Sequence, residues 1–169
     1  MANTKKAVPT QKRSKTIFIG IGAILVIFAL FLIIKGGFGG KETVSSAGGD
    51  LIIPKSEVTA KATFYPYTAG KTQIEVLALK ASDGTIRTAF NTCQVCYDSG
   101  RGYYKQDGNV LVCQNCGNRF QANQVEKEKG GCNPVPIFKE NKTDDGTNIV
   151  IPGKFLEENK ALFGNWKKS

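Results

Sequence analysis

The first pattern along the chain is an uninterrupted apolar run. Ile17 to Ile34 reads IFIGIGAILVIFALFLII, eighteen positions without a charge, bracketed by Lys15 and Lys35. A helix lying on a soluble core would show a polar face, and this segment is apolar all round. As a helix it is roughly 27 Å long, close to a hydrocarbon core of about 30 Å, so it predicts a transmembrane helix over 17–34. A cleaved signal peptide, with Ser45 and Ala47 as the small residues before the cut, is the competing reading. The run exceeds the roughly 7–15 apolar residues usual for one, which favours a retained anchor.

Beyond Lys35 the pattern changes twice. Gly36-Gly37-Phe38-Gly39-Gly40 and Ser45-Ser46-Ala47-Gly48-Gly49 make 35–49 a flexible linker. From Asp50 onward the periodicity is that of strands. Lys61–Tyr67 places Thr63, Tyr65 and Tyr67 on one parity, ending near Pro66. Thr72–Ala81 is rich in β-compatible apolar residues, and Ser82-Asp83-Gly84 turns it into Thr85–Phe90, a predicted hairpin. A second hairpin is predicted where Tyr103-Tyr104-Lys105 and Val110-Leu111-Val112 flank Gln106-Asp107-Gly108-Asn109. Phe155, Leu156, Leu162 and Phe163 recur at helical spacing after Pro152, with Glu157-Glu158 early and Lys160 later, which suits a short terminal helix. Ile52-Ile53-Pro54 and Val150-Ile151-Pro152 look alike and read as two strand ends stopped by proline. The predicted fold is one N-terminal transmembrane helix followed by a small, mainly-β (α+β) domain over 50–169.

Charge sets the orientation. Of a net +9, five basic residues with no acid (Lys5, Lys6, Lys12, Arg13, Lys15) precede the apolar run. The positive-inside rule then places 1–16 in the cytoplasm and 50–169 outside it. No basic stripe with interleaved aromatics follows the tail, so nucleic acid is not an expected partner. The absence of histidine excludes Ser-His-Asp and Cys-His catalysis and any His-ligated metal within the chain. With no paired carboxylates, phosphate loop or nucleophile motif either, the sequence reads as a redox or metal-binding protein rather than a turnover enzyme.

The five cysteines carry the chemistry. Cys93-x2-Cys96 and Cys113-x2-Cys116 are separated by sixteen residues, and Cys132 follows in Gly130-Gly131-Cys132-Asn133-Pro134. Two residues between cysteines let a tight turn aim both sulfurs at one metal, and two such turns supply four thiolates to a tetrahedral centre at about 2.3 Å for zinc. The second predicted hairpin lies between the pairs and folds one back onto the other. Three other uses compete: a structural zinc site that staples an interaction module, disulfides outside the cell, and a thioredoxin-like redox pair. Five is an odd number for disulfides and local CxxC loops are poor long-range staples. Neither pair has the strand-helix context of a thioredoxin. Cys132, between two glycines and the stiff Asn133-Pro134-Val135-Pro136 exit, is set like an alternative ligand or a neighbour of the centre, against the plainer reading of a buried apolar cysteine. Arg101, Lys105 and Arg119 lie near in sequence, where they offset thiolate charge or are simply solvated. Tyr65, Tyr67, Tyr103, Tyr104 and Trp166 fit aromatic packing better than a site.

Thr85–Phe90, Cys93-Gln94-Val95-Cys96, Gly102-Tyr103-Tyr104, Val112-Cys113-Gln114-Asn115-Cys116-Gly117, Arg119-Phe120 and Gly130–Pro136 together resemble the FtrD-like membrane iron–sulfur proteins, over roughly Lys55–Phe163. The resemblance implies a membrane-bound protein of bacterial iron uptake that handles electrons through an iron–sulfur cluster or iron, with zinc as the alternative metal. It implies Cys93, Cys96, Cys113, Cys116 and Cys132 as the family's cysteine positions. An iron-uptake permease or a redox protein is the implied partner. Some members carry many membrane helices ahead of this domain, and this chain has one such segment, so a permease role is not carried over.

Overall fold

β3, the strand Thr72–Lys80, organises the domain because it is apolar on both faces. Side chains along a strand alternate sides. Ile74, Val76 and Ala78 enter one core, while Leu77 and Leu79 enter another. A strand buried on both faces reads as an almost unbroken apolar run, which is what IEVLAL is. The computed structural model describes residues 48–167. The predicted basic tail, the transmembrane helix and nearly all of the linker lie outside the described residues. Among those described, no helix is long and apolar enough to cross a membrane.

The strands in chain order are β1 (Leu51–Pro54), β2 (Thr63–Ala69), β3, β4 (Ile86–Cys93), β5 (Tyr104–Asp107), β6 (Val110–Cys113), β7 (Arg119–Gln121), β8 (Pro134–Pro136), β9 (Thr143–Asp144) and β10 (Asn148–Ile151). The described residues form three antiparallel sheets, ordered β1-β10-β9, β2-β3-β4-β8 and β5-β6-β7. One short α-helix, α1 (Gly153–Glu158), is followed by a 3-10 turn over Lys160–Phe163.

Both predicted hairpins are present; β4, β5 and β6 run longer than the sequence suggested, while β3 ends one residue earlier, at Lys80. β2 runs through Pro66 to Ala69. It is an edge strand, where a missing backbone donor is tolerated. β4 continues past Phe90 and ends on Cys93 itself. In the second hairpin Asp107 pairs with Val110, which leaves only Gly108 and Asn109 in the turn. The look-alike Ile-Ile-Pro and Val-Ile-Pro segments are partners: Leu51 faces Ile151 and Ile53 faces Ile149. The predicted terminal helix is broken after one turn and a half, yet its apolar residues do the expected work. Leu156 and Phe163 are buried, and Phe90 packs between Phe155 and Phe163 with both ring centroids at 5.8 Å.

The four-stranded sheet is thus a middle layer. Leu51, Ile53, Tyr65, Tyr67, Phe90 and Phe163 belong to the core on one face. Leu77, Leu79 and Ala89 meet Tyr104, Leu111, Phe120 and three of the cysteines on the other. β8 was not anticipated, since Pro134 and Pro136 flank its single valine. It is a three-residue edge strand beside β4, with Cys93 opposite Pro134. That pairing brings the segment after Cys132 alongside the strand that ends in Cys93.

Candidate metal centre

Each CxxC pair begins at the last residue of a strand. Cys93 closes β4 and Cys113 closes β6, and the chain then turns sharply at both places. The two turns repeat one hydrogen-bond pattern. The Cys93 sulfur accepts from the backbone N–H groups of Val95 and Cys96, and the Cys113 sulfur from those of Asn115 and Cys116. Gly117 N–H returns to Cys113 O (2.9 Å) with φ 72°, a conformation that suits glycine at the exit of the second turn. The first turn needs a glycine for a different reason. A Cβ on Gly102 would stand 2.4 Å from Cys96 O, so only a bare Cα lets the segment before β5 approach and hold Cys93 N–H to Gly102 O at 2.6 Å.

The five cysteines converge. The Sγ atoms of Cys93, Cys96 and Cys132 lie within 4.8 Å of one another, and so do those of Cys96, Cys113 and Cys116. Cys96 is common to both triads, so the fifth cysteine stands beside the two pairs. Cys93, Cys96 and Cys113 are buried, Cys132 is half-buried and Cys116 is exposed.

The loop bearing Cys132 is stitched to both turns. Gln94 N–H donates to Asn133 O (3.1 Å), and Gln94 Oε1 accepts from Gly130 N–H (3.0 Å). Cys132 O accepts from Asn118 Nδ2 and from Tyr104 Oη, both at 2.8 Å. Tyr104 is 1% exposed and its hydroxyl also contacts the Cys93 sulfur. The tyrosine read from sequence as packing therefore shares its single hydroxyl proton between the Cys132 carbonyl and the Cys93 sulfur. Its backbone N–H is fixed by Asn91 Oδ1 at 2.7 Å.

A second set of anchors holds the segment that leads into this loop. Arg87, 6% exposed, donates to Asn123 O (2.8 Å) and Val125 O (3.3 Å) and pairs with Asp83. Glu126 accepts Thr88 N–H at 3.0 Å and pairs with Lys142, whose Nζ also reaches Thr88 Oγ1 at 2.9 Å. Glu126 is a non-glycine at φ 66°, a strained backbone held by these contacts. Asp83 stands only four positions before Arg87, whereas Lys142 lies sixteen positions from Glu126 and the other partners are backbone atoms or lie farther along the chain. Of the cations considered as charge neutralisers, Arg119 is engaged with Asp107 (2.8 Å), and Arg101 and Lys105 are exposed.

The thiols perturb one another. Burial pushes Cys93 up, but the Tyr104 hydroxyl and the turn's N–H groups outweigh it and hold the thiol below its ordinary value. Cys116 is lowered, first by the backbone N–H of Asn118. Burial raises Cys96, and it pushes Cys113 up to about 12. Hydrogen bonding to Cys116, then burial and the charge of Cys93, push Cys132 up to about 12. One thiol of each triad is thus shifted toward the thiolate and the others away from it. A metal ion bound here would draw off the remaining protons, since thiolate ligation releases them. Burial first, and the Cys93 contact second, raise Tyr104, so it stays a neutral donor.

An all-sulfur donor set with N–H groups aimed at the sulfurs selects soft or borderline metals, among them zinc, cuprous copper and iron–sulfur groups. The fold and site thus define a small β domain with a cysteine cluster able to hold a metal. The model of the family described as "Membrane iron-sulfur containing protein FtrD-like" matches residues 58–163, and the chain belongs to that family. No curated protein and no solved structure matches the chain.

Proposed function

We propose that this protein carries an iron–sulfur centre on its cysteine cluster, outside the cytoplasm, and serves electron transfer or metal handling in bacterial iron uptake. The observation that carries the reading is the convergence of five thiols, in a chain whose family is described as membrane iron–sulfur proteins. Cys93, Cys96, Cys113 and Cys116 are the expected ligands. Cys132 is the alternative ligand or the neighbour that tunes them. When bound, an iron–sulfur group supplies one-electron exchange at this site. The chain's own part is to aim the sulfurs, give them N–H and O–H donors through the two turns and Tyr104, and keep water from the three buried cysteines.

In this reading residues 1–16 are a cytoplasmic tail, 17–34 the anchor, 35–49 a tether and 50–169 the metal-binding domain. The tether lets the domain meet a permease or a redox protein at the membrane. The test is iron, zinc and acid-labile sulfide analysis of the full-length protein, purified in detergent without oxygen, with an absorption spectrum before and after reduction. Iron with sulfide and a visible band that bleaches reversibly are expected. Stoichiometric zinc with no sulfide would replace the proposal with an interaction module stapled by a structural metal.

A further inference from the structure

The two CxxC turns carry a glutamine at the same position, Gln94 after Cys93 and Gln114 after Cys113. Their side chains differ in one respect. Gln114 Nε2 donates to Val112 O at 2.9 Å, so its N–H is in use. Gln94 Nε2 is buried and has no hydrogen-bond partner among the described residues. The orientation of the Gln94 amide is fixed, because Gly130 N–H needs an acceptor and finds Oε1 at 3.0 Å, which turns the nitrogen away from it. The amide spans the first turn and the loop 130–133, and those two segments supply the triad Cys93, Cys96 and Cys132. A buried NH2 group with no partner is costly and asks for an explanation such as a group bound at the site.

We propose that Gln94 Nε2 is a hydrogen-bond donor to an inorganic sulfide of the centre, and that it sets the reduction potential. The proposal rests on the iron–sulfur reading. A zinc ion brings no acceptor beyond the thiolates already placed, whereas a cluster adds sulfide. Reduction adds one electron to the centre, with no bond made or broken at Gln94 and its protons kept. An N–H donor stabilises the more negative, reduced state, and hydrogen bonds to the sulfurs are among the determinants of cluster potential. Removing the donor therefore lowers the midpoint potential.

The experiment compares full-length wild type, Q94M, Q94E and Q114M, purified in detergent without oxygen. Each is assayed for iron and acid-labile sulfide, titrated for midpoint potential, and examined in the reduced state by pulsed EPR after exchange into D2O. Q94E retains an oxygen for Gly130 N–H and replaces the NH2 group by a charged oxygen that lowers the potential by itself, so where Q94M fails to fold its deciding readout is the loss of the deuteron coupling. Both Q94 variants should show a lower potential and lose an exchangeable deuteron coupling that wild type and Q114M keep. Protein with iron and sulfide in which the Q94 variants keep the wild-type potential and coupling overturns this inference alone. Wild-type protein without sulfide overturns the iron–sulfur reading and this inference with it.

Discussion

Replacing Lys142 by Met tests the anchoring of the Cys132 loop. Lys142 and Glu126 side chains are only 8% and 15% exposed, so the mutation strands a carboxylate in a poorly solvated place. Breaking a buried pair from one side costs about 3–5 kcal/mol. Glu126 keeps the Thr88 N–H at 3.0 Å and sits near the surface, so the lower end, about 3 kcal/mol, applies. Residues 48–167 number about 120, and unfolding entropy of about 2.1 cal/mol/K per residue gives roughly 0.25 kcal/mol per degree. The expected loss is therefore about 12 °C in Tm. K142M/E126Q keeps an acceptor for Thr88 and buries no charge, so it should return to within about 1 kcal/mol of wild type. Trp166, the one tryptophan of the chain, packs edge-on against Phe163 at 5.4 Å and reports unfolding by fluorescence in urea. A K142M protein within about 1 kcal/mol of wild type, or a double variant that loses the sum of the two singles, would refute the buried-pair reasoning.

Gly102→Ala drives a Cβ to 2.4 Å from Cys96 O, and overpacking against backbone should cost about 3 kcal/mol and reduce metal content together, read by urea unfolding and metal analysis. Asp83, held to about 2 first by Thr85 and then by Arg87, has a folded value below its ordinary 3.8, so its contribution is full above that pH and is lost as pH falls toward 2. The difference in urea midpoint between wild type and D83N should accordingly be present at pH 7 and shrink between pH 4 and 2; a difference that grows on acidification would reverse the sign. Stripping the metal with a chelator should lower the Tm by more than about 10 °C and reloading should restore it, because binding at a thiolate site is on the order of 10 kcal/mol and part of it is folding energy. An unchanged Tm on scanning calorimetry would mean that the cysteines hold no stabilising ion.

Much of the domain could be read from local pattern. The two hairpins follow from alternating apolar runs around Ser82-Asp83-Gly84 and Gly108-Asn109, since a turn and its flanking strands are neighbours in sequence. The two CxxC turns were legible for the same reason: the sulfur and the N–H groups that bind it lie within three residues. Spacing favoured one centre on Cys93, Cys96, Cys113 and Cys116 with Cys132 as an alternative ligand or neighbour, and the sulfurs lie as two triads that share Cys96 and include Cys132. How the Cys132 loop reaches the two pairs was not legible. Cys132 joins because Pro134–Pro136 pairs with β4 as an edge strand, a pairing that two prolines hide from any propensity argument.

The sequence alone determined that the candidate ligands are all sulfur, that histidine chemistry is absent and that the domain is mainly β, because these depend on residue type and short-range period. Tertiary structure decided which atoms serve those sulfurs. Tyr104 lies 28 residues from the carbonyl it binds, Gly130 lies 36 from Gln94, and Glu126 lies 38 from the Thr88 amide it accepts. Such contacts are set by which faces of β3 and β4 are buried and by where the chain returns over them. No window along the sequence contains both partners.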